Sequence, residues 1–334
     1  MSRGARGYVC PACREPVEQT ESTFTCVSCR NKYPILFGIP DFRLWGDQYL
    51  SLQEERAKAA KLHDFGRAHS LRELVGYYYS ITDDVPADLE PQFASYVLNA
   101  EARSLAALKA LAPTGGPSLL DLGCGSGGSL VAGEGLFNDR IGVDIALRWL
   151  VIAQKRLEEC GSSATLVCAD AEALPFERDT FSHVLASDLL ENTRSPSATI
   201  GSACSVLETC GRIYISSSNG RWVGPHPATG VWAAGFIPKA LRVTLMQRRH
   251  GIDILRAVSF IDPGSVRRIA RGVGLRQVEA TPLQPEMGQL ASRSALFRLL
   301  ARTYSVLATA PLLRTVLLHA GPVFQAIFVK EAST

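Results

Sequence analysis

The chain has 334 residues, 46% of them hydrophobic and 20% charged, with a net charge of +3 at pH 7. This excludes a disordered, collagenous or coiled-coil chain and leaves a globular one, long enough for roughly two or three domains with buried cores. So small a net charge does not by itself mark a nucleic-acid binder.

The opening MSRGARGYVC has no apolar run, which predicts no secretory signal and a cytoplasmic location. Nine cysteines are present. Five of them, Cys124, Cys160, Cys168, Cys204 and Cys210, are scattered, and the other four cluster near the N-terminus. An odd, clustered set without a signal points to a reducing compartment and a metal rather than disulfides. The cluster is Cys10-Pro-Ala-Cys13 and Cys26-Val-Ser-Cys29, with 12 residues between the pairs. Each CxxC sets two thiolates on one turn, and a hairpin joining two such turns completes a tetrahedral S4 shell. Thr23-Phe24-Thr25 alternates like a short strand leading into the second turn. Four protein ligands close the shell, so the predicted zinc is structural and lets a small piece fold with little core. With Tyr33-Pro34-Ile35-Leu36-Phe37-Gly38-Ile39-Pro40-Asp41-Phe42 after it, the segment 8–43 resembles the short zinc ribbon of tRNA-methyltransferase activator subunits. A similar ribbon begins large-subunit rRNA guanine methyltransferases and many bacterial methyltransferases. The resemblance implies a ribbon over 1–45 and is silent on substrate.

Residues 46–112 read as a helical linker or lid. Gln53–His63 is charged and helix-favouring; Tyr77-Tyr78-Tyr79 reads as packing or lid material, and Asp83-Asp84 follows. Phe93, Val97, Leu98, Ala102, Leu105 and Leu108 recur at helical spacing from Pro91 to Leu111. Pro113 and Pro117, flanking two glycines, end that helix.

Ser118–Leu122 is a short apolar strand candidate, followed by the turn Gly123-Cys124-Gly125-Ser126-Gly127-Gly128 and a helix start. Such glycines let the backbone approach a ligand closely. Arg140–Asp144 is a second strand ending in an acid 17 residues beyond Gly127, where a carboxylate can accept from both ribose hydroxyls. Ala164–Cys168, Phe181–Ser187 and Gly211–Ser216 are three more strands, and Arg148–Glu159 and Ser197–Leu207 are helical. Strands alternating with helices give a doubly wound α/β pattern.

The stretches LLDLGCGSG, IGVD, DAEALPF, FSHVLASDLLEN and GRIYISSSN, in this order across 118–219, resemble the class I S-adenosylmethionine (SAM)-dependent methyltransferases. The resemblance implies an α/β, doubly wound Rossmann-like seven-stranded methyltransferase sheet with its last strand antiparallel. It fills 113–334 behind the N-terminal zinc ribbon, with SAM as cofactor. It also implies that Asp121 and the Gly123–Gly127 turn, with Gly123, Gly125 and Gly127, face the methionine moiety. Asp144 would take the ribose, Asp170 and the Ala171 amide the adenine, and Ser187 would line the methyl-donor side. Many relatives carry Glu-His where this chain has Glu191-Asn192, and asparagine is no base near pH 7. His183, inside a strand, reads as a core residue.

Methyl transfer from a sulfonium is an in-line displacement, so the protein mainly orients the reactants. A hydroxyl acceptor must also lose a proton. The candidate bases are Asp188, just past the fourth strand, Glu191, and His226 in the loop Gly224–Gly230. Helix capping and turn shaping are the alternative roles of Asp188 and His226. No Asn-Pro-Pro-aromatic motif of base-amino methyltransferases is present.

An acceptor-side insertion spans about 220–272. Residues 239–276 carry nine Lys or Arg (among them Arg249 and Arg256) against Asp253 and Asp262, a net +7. This is a solvated basic face or a contact with something anionic. Trp222, Trp232 and Phe236 precede it. Residues 291–319 are helical and apolar, with Leu296, Leu299, Leu300, Leu307, Leu312, Leu313, Val316 and Leu317. In the apolar stretch Ala295–Val329 the longest run without Lys, Arg, Asp or Glu, Thr315–Val329, has 15 residues and is too short to span a membrane. Residues 291–319 would pack on the sheet or form a peripheral membrane or homodimer face. Pro322–Lys330 is the predicted last strand.

The favoured function is SAM-dependent methylation of a hydroxyl on a small-molecule, glycan or lipid-linked acceptor. One alternative is an rRNA or tRNA methyltransferase whose ribbon grips RNA. The ribbon is not notably basic, its Arg14, Arg30 and Lys32 being matched by Glu15, Glu18 and Glu21. The other is a non-catalytic SAM-binding or partner subunit.

Overall fold

The computed structural model describes residues 7–82, 85–86, 89–226, 229–251, 255, 258–284 and 295–332. Asp83, Asp84, Asp253, Arg256 and residues 291–294, read above, lie outside the described residues, as do the side chains of Arg249, Leu296 and Leu300.

Four short strands, β1 (Val17–Gln19), β2 (Thr23–Cys26), β3 (Lys32–Leu36) and β4 (Ile39–Pro40), form an antiparallel sheet in chain order. The alternation in β2 points Phe24 and Cys26 inward. This small sheet has no core of its own. Phe24 and Phe42 pack against the Tyr8 ring and Tyr33 against Phe42; Tyr8 in turn meets Phe176, which packs edge-on against Phe181, so one apolar cluster runs from the ribbon into the large sheet. Backbone bonds fasten the same contact: Val9 N–H donates to Pro175 O at 3.1 Å and Phe42 N–H to Cys168 O at 2.7 Å.

Helices α1 (Leu52–Gly66) and α2 (Leu71–Ser80) each open on a capping box, Ser51 with Glu54 and Ser70 with Glu73. The tyrosine run packs: Tyr78 and Tyr79 are buried, and the Tyr78 ring lies tilted against Trp149, centroids 4.7 Å apart. The helix expected over 91–111 is two helices, α3 (Glu90–Leu98) and α4 (Ala100–Leu111), broken at Asn99. There the Asn99 side chain donates to the Ser95 carbonyl at 2.8 Å, competing with the helical backbone.

The remaining elements are β5 (Gly116–Leu122), α5 (Gly128–Ala132), β6 (Phe137–Asp144), α6 (Leu147–Glu159), β7 (Thr165–Cys168), β8 (Phe181–Ser187), α7 (Pro196–Val206), β9 (Leu207–Ser218), α8 (Lys239–His250), α9 (Pro263–Gly272), β10 (Leu275–Pro282), α10 (Ala295–Leu307), α11 (Pro311–Ala320) and β11 (Val323–Lys330). Seven strands form one mixed sheet in the order β10-β11-β9-β8-β5-β6-β7. The five central and far strands pair in parallel, and β11 runs antiparallel to both β9 and β10. Helices cover both faces, so β5 is buried at five consecutive positions instead of alternating. Strand order reverses about β5, which opens a crevice beyond the carboxyl ends of β5 and β8. The apolar stretch before β11 divides at Pro311, which cannot donate to a continuing helix. Among the described residues, no helix is long and apolar enough to cross a membrane.

Candidate functional site

A cavity of about 350 Å³ lies at that crevice. Gly123 and Gly125 line it from the turn after β5, Asp144 from the end of β6, Asp170 and Ala171 from the loop after β7, and Ser187 and Asp188 from the end of β8. Seven residues read from the sequence therefore converge from four strand ends. Two do not reach the lining. Gly127 caps α5 with φ of +76°, and Asp121 is buried behind the turn, where it accepts from the Ser129 hydroxyl.

Local chemistry explains the cradle. Gly125 has φ of +48°, and a Cβ placed there would meet nothing within 4 Å. A side chain would be strained and would project into space that a ligand needs. Asp144 accepts from the Gly125 amide at 2.9 Å and the Ala146 amide at 2.8 Å. A carboxylate has about four acceptor sites, so about two stay available for a diol. Burial raises the Asp144 pKa, and the two amides oppose that rise. Asp170 accepts from the Glu172 amide at 3.0 Å and from Arg194. Its pKa is likewise raised by burial, against the Arg194 charge. A buried acceptor pair, an open glycine turn and this volume fit a nucleoside-bearing cofactor such as SAM.

The opposite wall carries Asp188, exposed to the cavity and held at φ of +52°. Non-glycine residues seldom adopt that conformation, which clusters at functional sites. Its carboxylate accepts from Tyr96 Oη at 3.0 Å and Ser216 Oγ at 3.2 Å. Behind it, Glu191 is buried and accepts from Ser217 Oγ at 2.5 Å and the Ser218 amide at 3.3 Å. Burial, then the Asp188 charge, push the Glu191 carboxyl up to about 7.

A folded-state pKa above the ordinary carboxylate value means that protonated Glu191 suits the fold. Its stabilising contribution is full below about pH 4.5 and is lost as pH rises through about 7. Glu191→Gln, permanently neutral, should therefore gain about 1–3 kcal/mol relative to wild type between pH 5 and pH 8. Urea unfolding of both proteins at the two pH values measures this, and a pH-independent difference would refute it.

His226 lies outside the cavity lining, 6.1 Å edge-on from the Phe260 ring. Burial, then the Arg242 charge, depress its pKa to about 4, so it is neutral at pH 7. His183 is half-buried in β8, with Nδ1 2.9 Å from Ser182 Oγ.

Sequence reasoning missed part of the wall. Asp47, Gln48 and Tyr49, just beyond the ribbon, line the cavity, as do Tyr96, Arg148 and Arg194. Gln48 donates to Asn192 O at 2.9 Å, and Arg148 donates to Asp47 at 2.6 Å and to Glu55. Asp41 binds Arg43 at 2.8 Å, whose other end reaches Ile145 O at 3.1 Å on the cavity rim. The nearness of Asp47 to the ribbon was the sole available signal.

In the ribbon, the Sγ atoms of Cys10, Cys13, Cys26 and Cys29 all lie within 4.8 Å of one another. Cys10 and Cys29 are 3.5 Å apart, and Cys13 and Cys26 are 3.4 Å apart. Tetrahedral zinc with bonds of about 2.3 Å needs sulfur pairs roughly 3.8 Å apart, so the four thiols fit that ion.

Comparison with known proteins bears on this site. Residues 120–215 match the family described as methyltransferase domain. The ubiquinone biosynthesis O-methyltransferase of Thiobacillus denitrificans is 28% identical over 174 residues, 51% of this chain and 69% of that protein. Haemonchus contortus phosphoethanolamine N-methyltransferase 2, solved with SAM, is 19% identical with a TM-score of 0.48, over 69% of this chain and 53% of that one. A SAM-dependent methyltransferase from Mesorhizobium loti is 19% identical with a TM-score of 0.47, over 69% of this chain and 98% of that one.

Proposed function

We propose that this SAM-dependent methyltransferase methylates a hydroxyl oxygen on a small-molecule, glycan or lipid-linked acceptor, with Asp188 as the proton acceptor. The observation that carries this reading is Asp188 itself, a carboxylate held in a left-handed conformation on the cavity wall opposite Asp144. The Thiobacillus denitrificans relative is an O-methyltransferase, which supports the choice of oxygen.

When bound, SAM supplies a methyl group already activated as a sulfonium. Asp144 would hold its ribose, Asp170 and the Ala171 amide its adenine, and Gly123 and Gly125 would admit its methionine end. Asp121 and Gly127 would support that turn from beneath, and Ser187 would line the methyl-donor side. Asp188 would receive the acceptor proton as the oxygen attacks. Tyr96 and Ser216 donate to the two Asp188 oxygens and so fix where the carboxylate points. His226, on the loop after β9 and outside the cavity lining, is the second candidate base.

Structural zinc on Cys10, Cys13, Cys26 and Cys29 would hold the ribbon in the shape that packs on the large sheet. This packing gives the ribbon a role without RNA, because its aromatic residues face the sheet core.

Asp188→Asn should lower kcat by roughly 10²–10⁴-fold with a hydroxyl acceptor and leave the SAM Kd within about twofold. Transfer of labelled methyl from SAM to a panel of phenols and sugar alcohols, with calorimetry for SAM, separates the two quantities. An unchanged kcat for Asp188→Asn together with a collapse in His226→Gln would move the base role to His226.

A further inference from the structure

Most of the exposed large hydrophobic side chains among the described residues lie in one part of the chain. Thirteen of the sixteen fall between Val223 and Val316. Helix α11 is the extreme case. It has no buried residue, and Leu312 and Val316 are 85% and 58% exposed. Helix α10 adds Leu299 and Val306, 60% and 68% exposed. A ten-residue helix gains little from propensity alone and depends on burying an apolar face. Much of the α11 apolar face is turned to solvent.

The charged side chains of the two helices have one sign. No Asp or Glu occurs between Glu286 and Glu331, whereas Arg298, Arg302 and Arg314 are exposed on the two helices. Apolar side chains interleaved with arginine suit an in-plane helix on anionic headgroups. A second copy fits worse. A two-fold contact would bring like-charged arginines of the two copies together.

The surface is also joined to the acceptor side of the site. Asn219, just after β9, donates through Nδ2 to His319 O and Gly321 O, both at 3.0 Å. These carbonyls end α11. Three residues earlier, Ser216 donates to Asp188.

We propose that α10 and α11 dock the enzyme on an anionic lipid bilayer, apolar side chains entering the acyl boundary and arginines meeting the headgroups. The docking does not depend on which acceptor is methylated or on the role of Asp188.

Co-sedimentation of the full chain with phosphatidylcholine vesicles, with and without roughly one-quarter phosphatidylglycerol, tests this. Binding to the anionic vesicles should be tighter on the order of 100-fold and should fall with added salt. The double variant Leu312→Glu, Val316→Glu should lose that binding while keeping its SAM Kd, since both positions are exposed. The triple variant Arg298→Gln, Arg302→Gln, Arg314→Gln keeps the apolar face and should bind the two vesicle types about equally. Equal sedimentation of wild type and both variants would overturn the proposal. So would a wild-type dimer by light scattering that the double variant converts to monomer, since the face would then belong to a second copy.

Discussion

Asp144→Ala should weaken SAM binding by at least about 100-fold. Two hydrogen bonds from a ribose diol to a buried carboxylate are charge-assisted, each worth about 1.5–3 kcal/mol. Their loss alone accounts for the expected change, since about 1.4 kcal/mol is tenfold in affinity. A second effect adds to it. Asp144 also accepts from the Gly125 and Ala146 amides, so alanine would leave both donors of the glycine turn and the following helix start without their acceptor. Asp144→Asn is the informative companion. It keeps one oxygen for an amide and offers a donor where an acceptor is needed, so it should fall between wild type and alanine. Calorimetric titration with SAM and with S-adenosylhomocysteine measures all three proteins. Equal affinities would mean that the carboxylate does not touch the ribose.

Removing the zinc is the second large perturbation. One zinc per chain is expected by elemental analysis, and Cys26→Ser should lose it. Structural zinc contributes apparent binding free energies of about 10–16 kcal/mol in isolated finger peptides. Here the ribbon shares its core with the large sheet, so part of the penalty passes to the whole protein. Freed of its metal, the ribbon would loosen Phe24, Tyr33 and Phe42, which pack with Tyr8 and Phe176. A loss of about 3–5 kcal/mol corresponds to a Tm lower by roughly 10 °C or more. SAM affinity should fall as well, because Asp47–Tyr49 hang from the ribbon's last strand and line the cavity. A zinc-free Cys26→Ser protein that melts like wild type would show that the ribbon folds without metal.

Much of the site could be read in the chain because its residues sit at strand ends. A short apolar run followed by a glycine-rich turn is a local signal. So are an acid at the end of the next strand and another after the third. Gly125 is an example: the turn needs a positive φ, and the sequence carries a residue that tolerates it. Asp188 was placed in the same way, one residue beyond β8. Asp121 was harder to place. The family resemblance has it face the methionine moiety, whereas in the structure it accepts from the Ser129 hydroxyl behind the turn. The break at Asn99 was hidden as well, since apolar spacing on either side of it keeps helical phase.

The sequence by itself determined the alternation of strands and helices across 118–219, the four-thiol cluster and the acidic residues at strand ends. Each of these is written in spacing over a few residues, where backbone geometry leaves few choices. Tertiary structure alone decided that the ribbon is sealed to the large sheet and that Asp47–Tyr49 close the cavity. It also decided that Tyr96 reaches Asp188, that Glu191 is buried behind it, and that α11 is left facing solvent. These are contacts between segments far apart in the chain, or the lack of them. They depend on which faces pack together, and apolar periodicity marks a face as buried without naming its partner.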